Sequence, residues 1–117
     1  MICPEIRRIH SPELEPPNLP EDPRDCEILF QLLVGPMKGE GEEAFNFTVV
    51  TPAHLARGSE ARWGRAKLIV PVFEWSVIAR ALAQLLAQSA RPTWGEVVAE
   101  LNKALLWKFD VYETVDA

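Results

Sequence analysis

Apolar residues alternate with other residues in two stretches near the middle of the chain, residues 26–34 and 45–50. Because successive side chains of a strand point to opposite faces, each stretch predicts a strand with one apolar face. Residues 35–42, between them, include three glycines and a proline, which suit a hairpin connection. The pattern therefore predicts a central β-hairpin, a scaffold without chemistry of its own. Its alternating apolar positions are Cys26, Ile28, Phe30, Leu32 and Val34, then Phe45, Phe47 and Val49.

The second half of the chain has the periodicity of two long helices. Apolar side chains recur every three or four positions in residues 73–89, and again in residues 93–105 after a break at Pro92. Thr93 and Glu96 have the spacing of a capping box, which satisfies two free amides at a helix start. Each helix has one apolar stripe, so both must pack against the sheet. The stripes are Trp75, Ile78, Leu82, Leu85 and Leu86, then Trp94, Val97, Val98, Leu101 and Leu105.

Residues 4–9 have the character of a short first strand. In it Ile6 would point inward and Arg7 would lie on the opposite face. Arg7 and Arg8 are most simply interpreted as two solvated charges on an edge strand. The alternative is that they anchor a neighbouring carboxylate.

The remaining elements are shorter. Residues 66–72 predict another strand, and residues 51–57 predict a helix of one or two turns that starts at a Thr-Pro pair and ends at Gly58. Residues 107–112 alternate weakly and predict an edge strand or a packed aromatic tail. Together the elements predict an α+β fold: a single antiparallel sheet of about four strands, with the two long C-terminal helices packed on one face. We expect four core side chains to be buried near one another, namely Phe30, Phe47, Leu82 and Leu101.

Length and charge narrow the class of protein. The 117 residues, 48% of them hydrophobic, predict one domain with a core of its own, residues 1–117. The net charge of −5 disfavours nucleic acid as a ligand and suits a basic partner. No apolar run approaches the roughly 20 residues that cross a bilayer, and the N-terminus lacks a signal peptide's apolar stretch. With only two cysteines, the chain is expected in a reducing compartment, the cytoplasm.

Motifs for catalysis or metal binding are missing from the sequence. His10 and His54 are isolated, and Cys3 and Cys26 do not have CxxC spacing, so we expect no metal site. P-loop, GxGxxG and GxSxG motifs do not occur. We therefore expect no cofactor and no enzymatic activity.

A proline-rich segment before the hairpin is strongly acidic. Residues 11–23 hold five of the ten prolines, which excludes a helix or a central strand there. Residues 13–27 carry six acids against one base. Two interpretations stay open: a solvated connector, or a stiff acidic arm whose rigidity lowers the ordering cost of binding a partner.

One loop has the opposite charge. Residues 57–67 carry four bases and one acid, with Trp63 in the middle. A tryptophan among arginines is a candidate contact residue. The favoured alternative is that Trp63 is a lid folded over the core.

Several segments resemble the immunity protein 8 family of bacterial polymorphic toxin systems. The resemblance spans nearly the whole chain, although no motif in it is catalytic. It implies a small α+β protein that binds and neutralises a cognate toxin in the producing cell without catalysis; it does not imply which toxin. Gly95 departs from the pattern, because an acidic or other helix-forming residue is expected there. The segments are EIRRIHSP (5–12), LLVGP (32–36), GEEAF (41–45), VVTPAHL (49–55), KLIV (67–70) and TWGEVV (93–98).

A toxin that binds this chain would meet an acidic surface. Such a surface suits a basic toxin, for example a nuclease. The hairpin tip is the favoured contact because its glycines expose it, and the acidic arm lies at the other end of the hairpin. Trp63 and its loop become the contact if the toxin is acidic. The candidate acids are Glu40, Glu42 and Glu43 at the tip, and Glu21, Asp22 and Asp25 on the arm.

Two other function classes are compatible with the sequence. One is a small adaptor that binds some other protein. The other is a small-molecule-binding or enzymatic domain, which a deep polar pocket would favour. A toxin gene beside this one would separate the immunity function from both.

Overall fold

The computed structural model describes residues 1–108 and shows an α+β fold, which confirms the predicted class. The strands are β1 (Pro4–His10), β2 (Glu27–Pro36), β3 (Glu43–Val50), β4 (Lys67–Ile69) and β5 (Leu106–Trp107). The helices are α1 (Pro52–Leu55), α2 (Trp75–Gln88) and α3 (Trp94–Ala104). The sheet order is β1-β2-β3-β4, and β5 also pairs with β3. Trp107 thus lies in an edge strand as predicted, whereas residues 109–112 of that prediction lie outside the described residues.

The antiparallel pair β2 and β3 is the predicted hairpin. Phe30 lies opposite Phe47 and Leu32 lies opposite Phe45, so the apolar rows of the two strands share one face. All four side chains are at most 2% exposed. The rings of Phe30 and Phe47 stack with their centroids 5.3 Å apart. This face of the sheet forms one side of the core.

Helices α2 and α3 pack against that face of the sheet. Their buried side chains are Ile78, Leu82 and Leu86 in α2, and Val97, Val98 and Leu101 in α3. The capping box at Thr93 and Glu96 is present and sets the start of α3. The core prediction is confirmed, because Phe30, Phe47, Leu82 and Leu101 are all buried in one cluster.

One strand corrects the expected sheet. β4 runs parallel to β3, with Thr48 opposite Lys67 and Val50 opposite Ile69, so the sheet is mixed and not wholly antiparallel. A parallel neighbour needs a crossover of a dozen or more residues. Residues 51–66 form this crossover. They run from the end of β3 through α1 and the basic loop to the start of β4, which then points in the same direction as β3.

The proline-rich segment is fastened to the body of the protein. It contains no helix or strand, as predicted. The indole nitrogen of Trp75 donates to the carbonyl of Asn18 at 2.8 Å, and the amide of Phe73 donates to the carbonyl of Pro23 at 2.7 Å. Leu14 packs against the core. The segment is therefore held against the start of α2.

Candidate functional site

The hairpin tip, residues 37–42, is a tightly folded turn. Gly39 and Gly41 have φ angles of 124° and 119°, which favour glycine. The tip folds back over Gly35, where a Cβ atom would lie 2.5 Å from the carbonyl oxygen of Gly41. Any larger residue at position 35 would therefore push the tip away from the sheet.

Arg7 holds this tip in place. Its Nη2 donates to the carbonyl of Pro36 at 2.7 Å and to that of Gly39 at 3.2 Å, and its Nε lies 3.2 Å from the Glu5 carboxylate. Arg7 reaches the tip because the pairing of β1 with β2 shifts by one residue between Ile6 and Arg8, which makes Arg7 the bulged residue. The interpretation of Arg7 as a solvated charge is therefore wrong: it binds backbone carbonyls of the tip, and its ion pair with Glu5 is the carboxylate contact of the alternative interpretation. The expectation that Ile6 points inward is also wrong, because Ile6 is 38% exposed.

The three acids at the tip have different environments. Glu40 and Glu42 are exposed. Neither makes an ion pair with any residue in 1–108. Glu43 begins β3, and its Oε2 accepts a hydrogen bond from the indole of Trp107 at 3.1 Å. The tip thus presents two carboxylates that form no ion pair within residues 1–108, and the Glu43 carboxylate beside it is bound by β5.

The acids of the proline-rich segment lie at the other end of the hairpin, before β2. Glu21 and Asp22 are exposed. The Asp22 carboxylate accepts a hydrogen bond from the amide of Arg24 at 3.0 Å, which fixes the local turn. The structure thus separates the candidate acids into two patches, as the hairpin geometry predicts.

Asp25 is part of a charged cluster at this end of the hairpin. Its side chain is only 18% exposed, and its two oxygens accept bonds from Arg57 Nε at 3.0 and 2.9 Å. Hydrogen bonding from Arg57 lowers the pKa of Asp25 and outweighs the opposing effect of partial burial. His54 lies between two carboxylates, 3.6 Å from Asp25 and 3.2 Å from Glu27. The Asp25 carboxylate is therefore already paired within the protein, with Arg57 and His54.

Trp63 is 99% exposed, so the lid interpretation is wrong. The arginines beside it are held on the protein: Arg62 lies so close to Gly58 that no Cβ would fit there, and Arg65 donates to the Asn102 carboxamide of α3 at 3.2 Å. An apolar cavity of about 180 Å³ beneath the loop stays open, lined by residues that include Ala66, Leu68, Leu82, Leu85 and Leu105.

Metal-ligating side chains and thiols are scattered over the described part of the chain. Within residues 1–108 no group of three or more His, Cys, Asp or Glu side chains could hold a metal ion. Cys3 is exposed and Cys26 is buried, and they lie near opposite ends of β2. Burial raises the pKa of the Cys26 thiol, and the carboxylates of Asp22 and Asp25 raise it further. None of the helices in the described part of the chain is long and apolar enough to cross a membrane.

The acids and Trp63 stand out in the sequence, but two features of the structure do not. The first is Arg7, whose role depends on a strand bulge that apolar alternation does not reveal. The second is the face of the sheet opposite the helices, where Gln31 and Asn46 lie side by side. The alternation placed both residues on that face, but no motif marked them.

Comparison with known proteins gives a family. A sequence model of the family described as Immunity protein 8 matches residues 5–112, which is most of the chain. No curated protein and no solved structure matches. The segments that resemble this family lie in β1, in the hairpin, in α1 and β4, and at the start of α3. The chain belongs to the immunity protein 8 family.

Proposed function

We propose that this protein is a cytoplasmic immunity protein that binds its cognate toxin and neutralises it by occupying the toxin's surface, without catalysis. The family match over residues 5–112 carries the proposal. The whole-chain charge of −5 suits a basic toxin, such as a nuclease.

The hairpin tip is the favoured contact surface. Glu40 and Glu42 are exposed on a turn that is held in place by two kinds of contact. Arg7 donates hydrogen bonds to backbone carbonyls of the turn, and the turn packs closely over Gly35. A turn that is already ordered loses little conformational entropy on binding. Charges at the rim of an interface mainly raise the association rate, and salt weakens that effect. Glu40 and Glu42 thus steer a basic toxin towards the tip, with Glu43 beside them.

Two other surfaces are candidate contacts for the toxin. Glu21 and Asp22 form a second acidic patch at the other end of the hairpin, whereas Asp25 contributes through its pair with Arg57 by fixing the segment. If the toxin is instead acidic, the contact is the basic loop around Trp63, a large exposed aromatic side chain of the kind that dominates binding energy once a partner buries it.

Binding kinetics of a charge-reversed tip test the proposal. The probe is the toxin encoded by the neighbouring gene, and the variant is Glu40→Lys/Glu42→Lys, which leaves the Glu43–Trp107 hydrogen bond intact. We expect the association rate constant to fall about tenfold at low salt and less at high salt. Thermal unfolding should be unchanged, because both side chains are exposed.

The matched control is Glu60→Lys/Glu74→Lys, which changes the net charge equally at two exposed positions outside both acidic patches. Equal association rates for the two double variants would remove the tip from the contact surface. A wild-type protein that neither binds the neighbouring toxin nor protects cells from it would refute the immunity function itself.

A further inference from the structure

Within residues 1–108, the helices lie on one face of the sheet and leave the other face without a helix. On the other side, which we call the open face, two rows of side chains run across the strands. In the first row Arg8 lies opposite Leu33, which lies opposite Ala44. The second row runs from β1 to β5 through His10, Gln31, Asn46 and Leu106.

The open face is concave and partly apolar. A cavity of about 270 Å³ lies on it. Leu33, Ala44 and Asn46 are half-buried there without any helix packed over them. The side chains of Gln31 and Asn46 form no hydrogen bond with residues 1–108. Uncharged groups at the centre and charged groups at the border are the arrangement of a protein interface. The cavity is lined by Arg8, His10, Gln31, Leu32, Leu33, Ala44, Asn46 and Lys108.

The charged side chains that line this cavity are positive, whereas Glu13 and Glu15 line a neighbouring cavity beyond Arg8 and His10. Arg8 and Lys108 line the cavity on the open face, both are exposed, and neither forms an ion pair with any residue of the described part. His10 lies in the same lining, which contains no carboxylate. In a chain with a net charge of −5, a concave face lined by cations that form no ion pair among residues 1–108 is complementary to acidic groups.

The acidic tip adjoins this face, because Ala44 and Leu33 each lie within a few residues of it. Tip and open face therefore present opposite charges side by side. A nucleic acid, whose negative charge is continuous, would meet repulsion at Glu40 and Glu42. A protein segment with acidic residues beside basic ones matches both surfaces, and that match also fixes the orientation of the partner.

We infer that the open face is a second contact surface for the toxin and that the toxin segment lying on it is acidic. The inference rests on the proposed immunity function and adds the chemistry of the partner at this face. Gln31 and Asn46 hydrogen-bond to the segment at the centre, and Arg8 and Lys108 pair with its carboxylates at the border.

Two variants test the sign of the partner's charge. Asn46→Asp keeps the shape of the side chain and adds a negative charge at the centre, and Arg8→Glu reverses a charge at the border. The control is Arg80→Glu on the exposed side of α2, which makes the same charge change as Arg8→Glu. We expect the dissociation constant for the neighbouring toxin to rise about tenfold or more in each test variant, and to change less than twofold in the control.

Several results would overturn the inference while leaving the immunity function intact. Unchanged affinity of Asn46→Asp, which is the less disruptive substitution, would exclude the open face. Tighter binding of Asn46→Asp would show that the segment is basic. If wild-type protein binds a 20-nucleotide single-stranded DNA and Arg8→Glu does not, the face binds nucleic acid.

The chain's own C-terminal residues are a competing occupant, because residues 109–117 carry three acids. Full-length protein with Asp110→Asn, Glu113→Gln and Asp116→Asn should bind the toxin as wild type does. Tighter binding by this variant would show that the acidic end of the chain competes with the toxin for the open face, and would support the inference. If the wild-type protein does not bind the toxin at all, the proposed function itself is refuted.

Discussion

Replacing Arg7 by methionine should loosen the hairpin tip without changing its acids. Methionine keeps most of the unbranched side chain but has no donor. The variant therefore loses the bonds to the carbonyls of Pro36 and Gly39 and the ion pair with Glu5. The fold elsewhere should remain, because β1 keeps its pairing with β2.

The expected cost follows from the exposure of these contacts. A hydrogen bond to a charged group contributes about 1.5–3 kcal/mol when it is buried. Here the Arg7 side chain is 31% exposed and its bond to Gly39 is on the surface, so water replaces part of what is lost. An exposed ion pair such as that with Glu5 contributes about 0–1 kcal/mol. We expect a total of about 1–2 kcal/mol, which opens the tip roughly 5- to 30-fold more often.

Hydrogen exchange and backbone relaxation measure this loosening. The amide of Met37 donates to the carbonyl of Cys3 at 2.8 Å, so its exchange rate reports on the start of the tip. Order parameters of residues 38–42 should fall, whereas those of the middle of β2 should not. The association rate with the toxin should fall as well, because the steering carboxylates lose their fixed position.

Arg8→Met is the matched control for stability, because it removes the same charge one residue away where no hydrogen bond or ion pair is formed with residues 1–108. Equal Met37 exchange rates and equal order parameters in the two variants would refute the role of Arg7. A large loss of global stability in Arg7→Met alone would show that Arg7 supports the sheet as a whole.

Two further predictions concern stability. Phe47→Ala should lower the free energy of unfolding in urea by about 3–5 kcal/mol, because the ring is buried and stacked on a neighbouring ring 5.3 Å away; a loss below about 1 kcal/mol would contradict its place in the core. Arg57 lowers the pKa of Asp25 below its unfolded value of about 3.8, so the stabilisation is complete above that pH and is lost as the pH falls through the folded pKa. The difference in unfolding free energy between wild type and Asp25→Asn should therefore shrink below about pH 4, and a difference that stays constant down to pH 2 would contradict the pairing.

The hairpin, the helices and the core could be predicted because burial alone sets their periodicity. Phe30 and Phe47 recur with the period of a strand, and Leu82 and Leu101 lie on helical stripes, so their partners did not need to be known. The parallel pairing of β4 could not be predicted in this way, because periodicity does not specify which strand lies alongside. The length of residues 51–66 was the available signal.

The state of each candidate site residue depended on contacts far along the chain. Glu43 is bound by Trp107, which is 64 residues away, and Asp25 by Arg57, which is 32 residues away. Neither pair follows from local pattern. Trp63 shows the same limit, since its size predicts burial but its side chain is 99% exposed.

Coverage of the sheet on one side only has a consequence for how this protein can change over generations. Every second residue of β2 and β3 packs under the helices, and the residues between them, such as Gln31 and Asn46, do not. Substitutions at the second set leave the packing of the first set untouched, so they alter what the sheet contacts at little cost in stability. A lineage that must follow a diversifying toxin can therefore exchange one partner for another through single, separately tolerated steps.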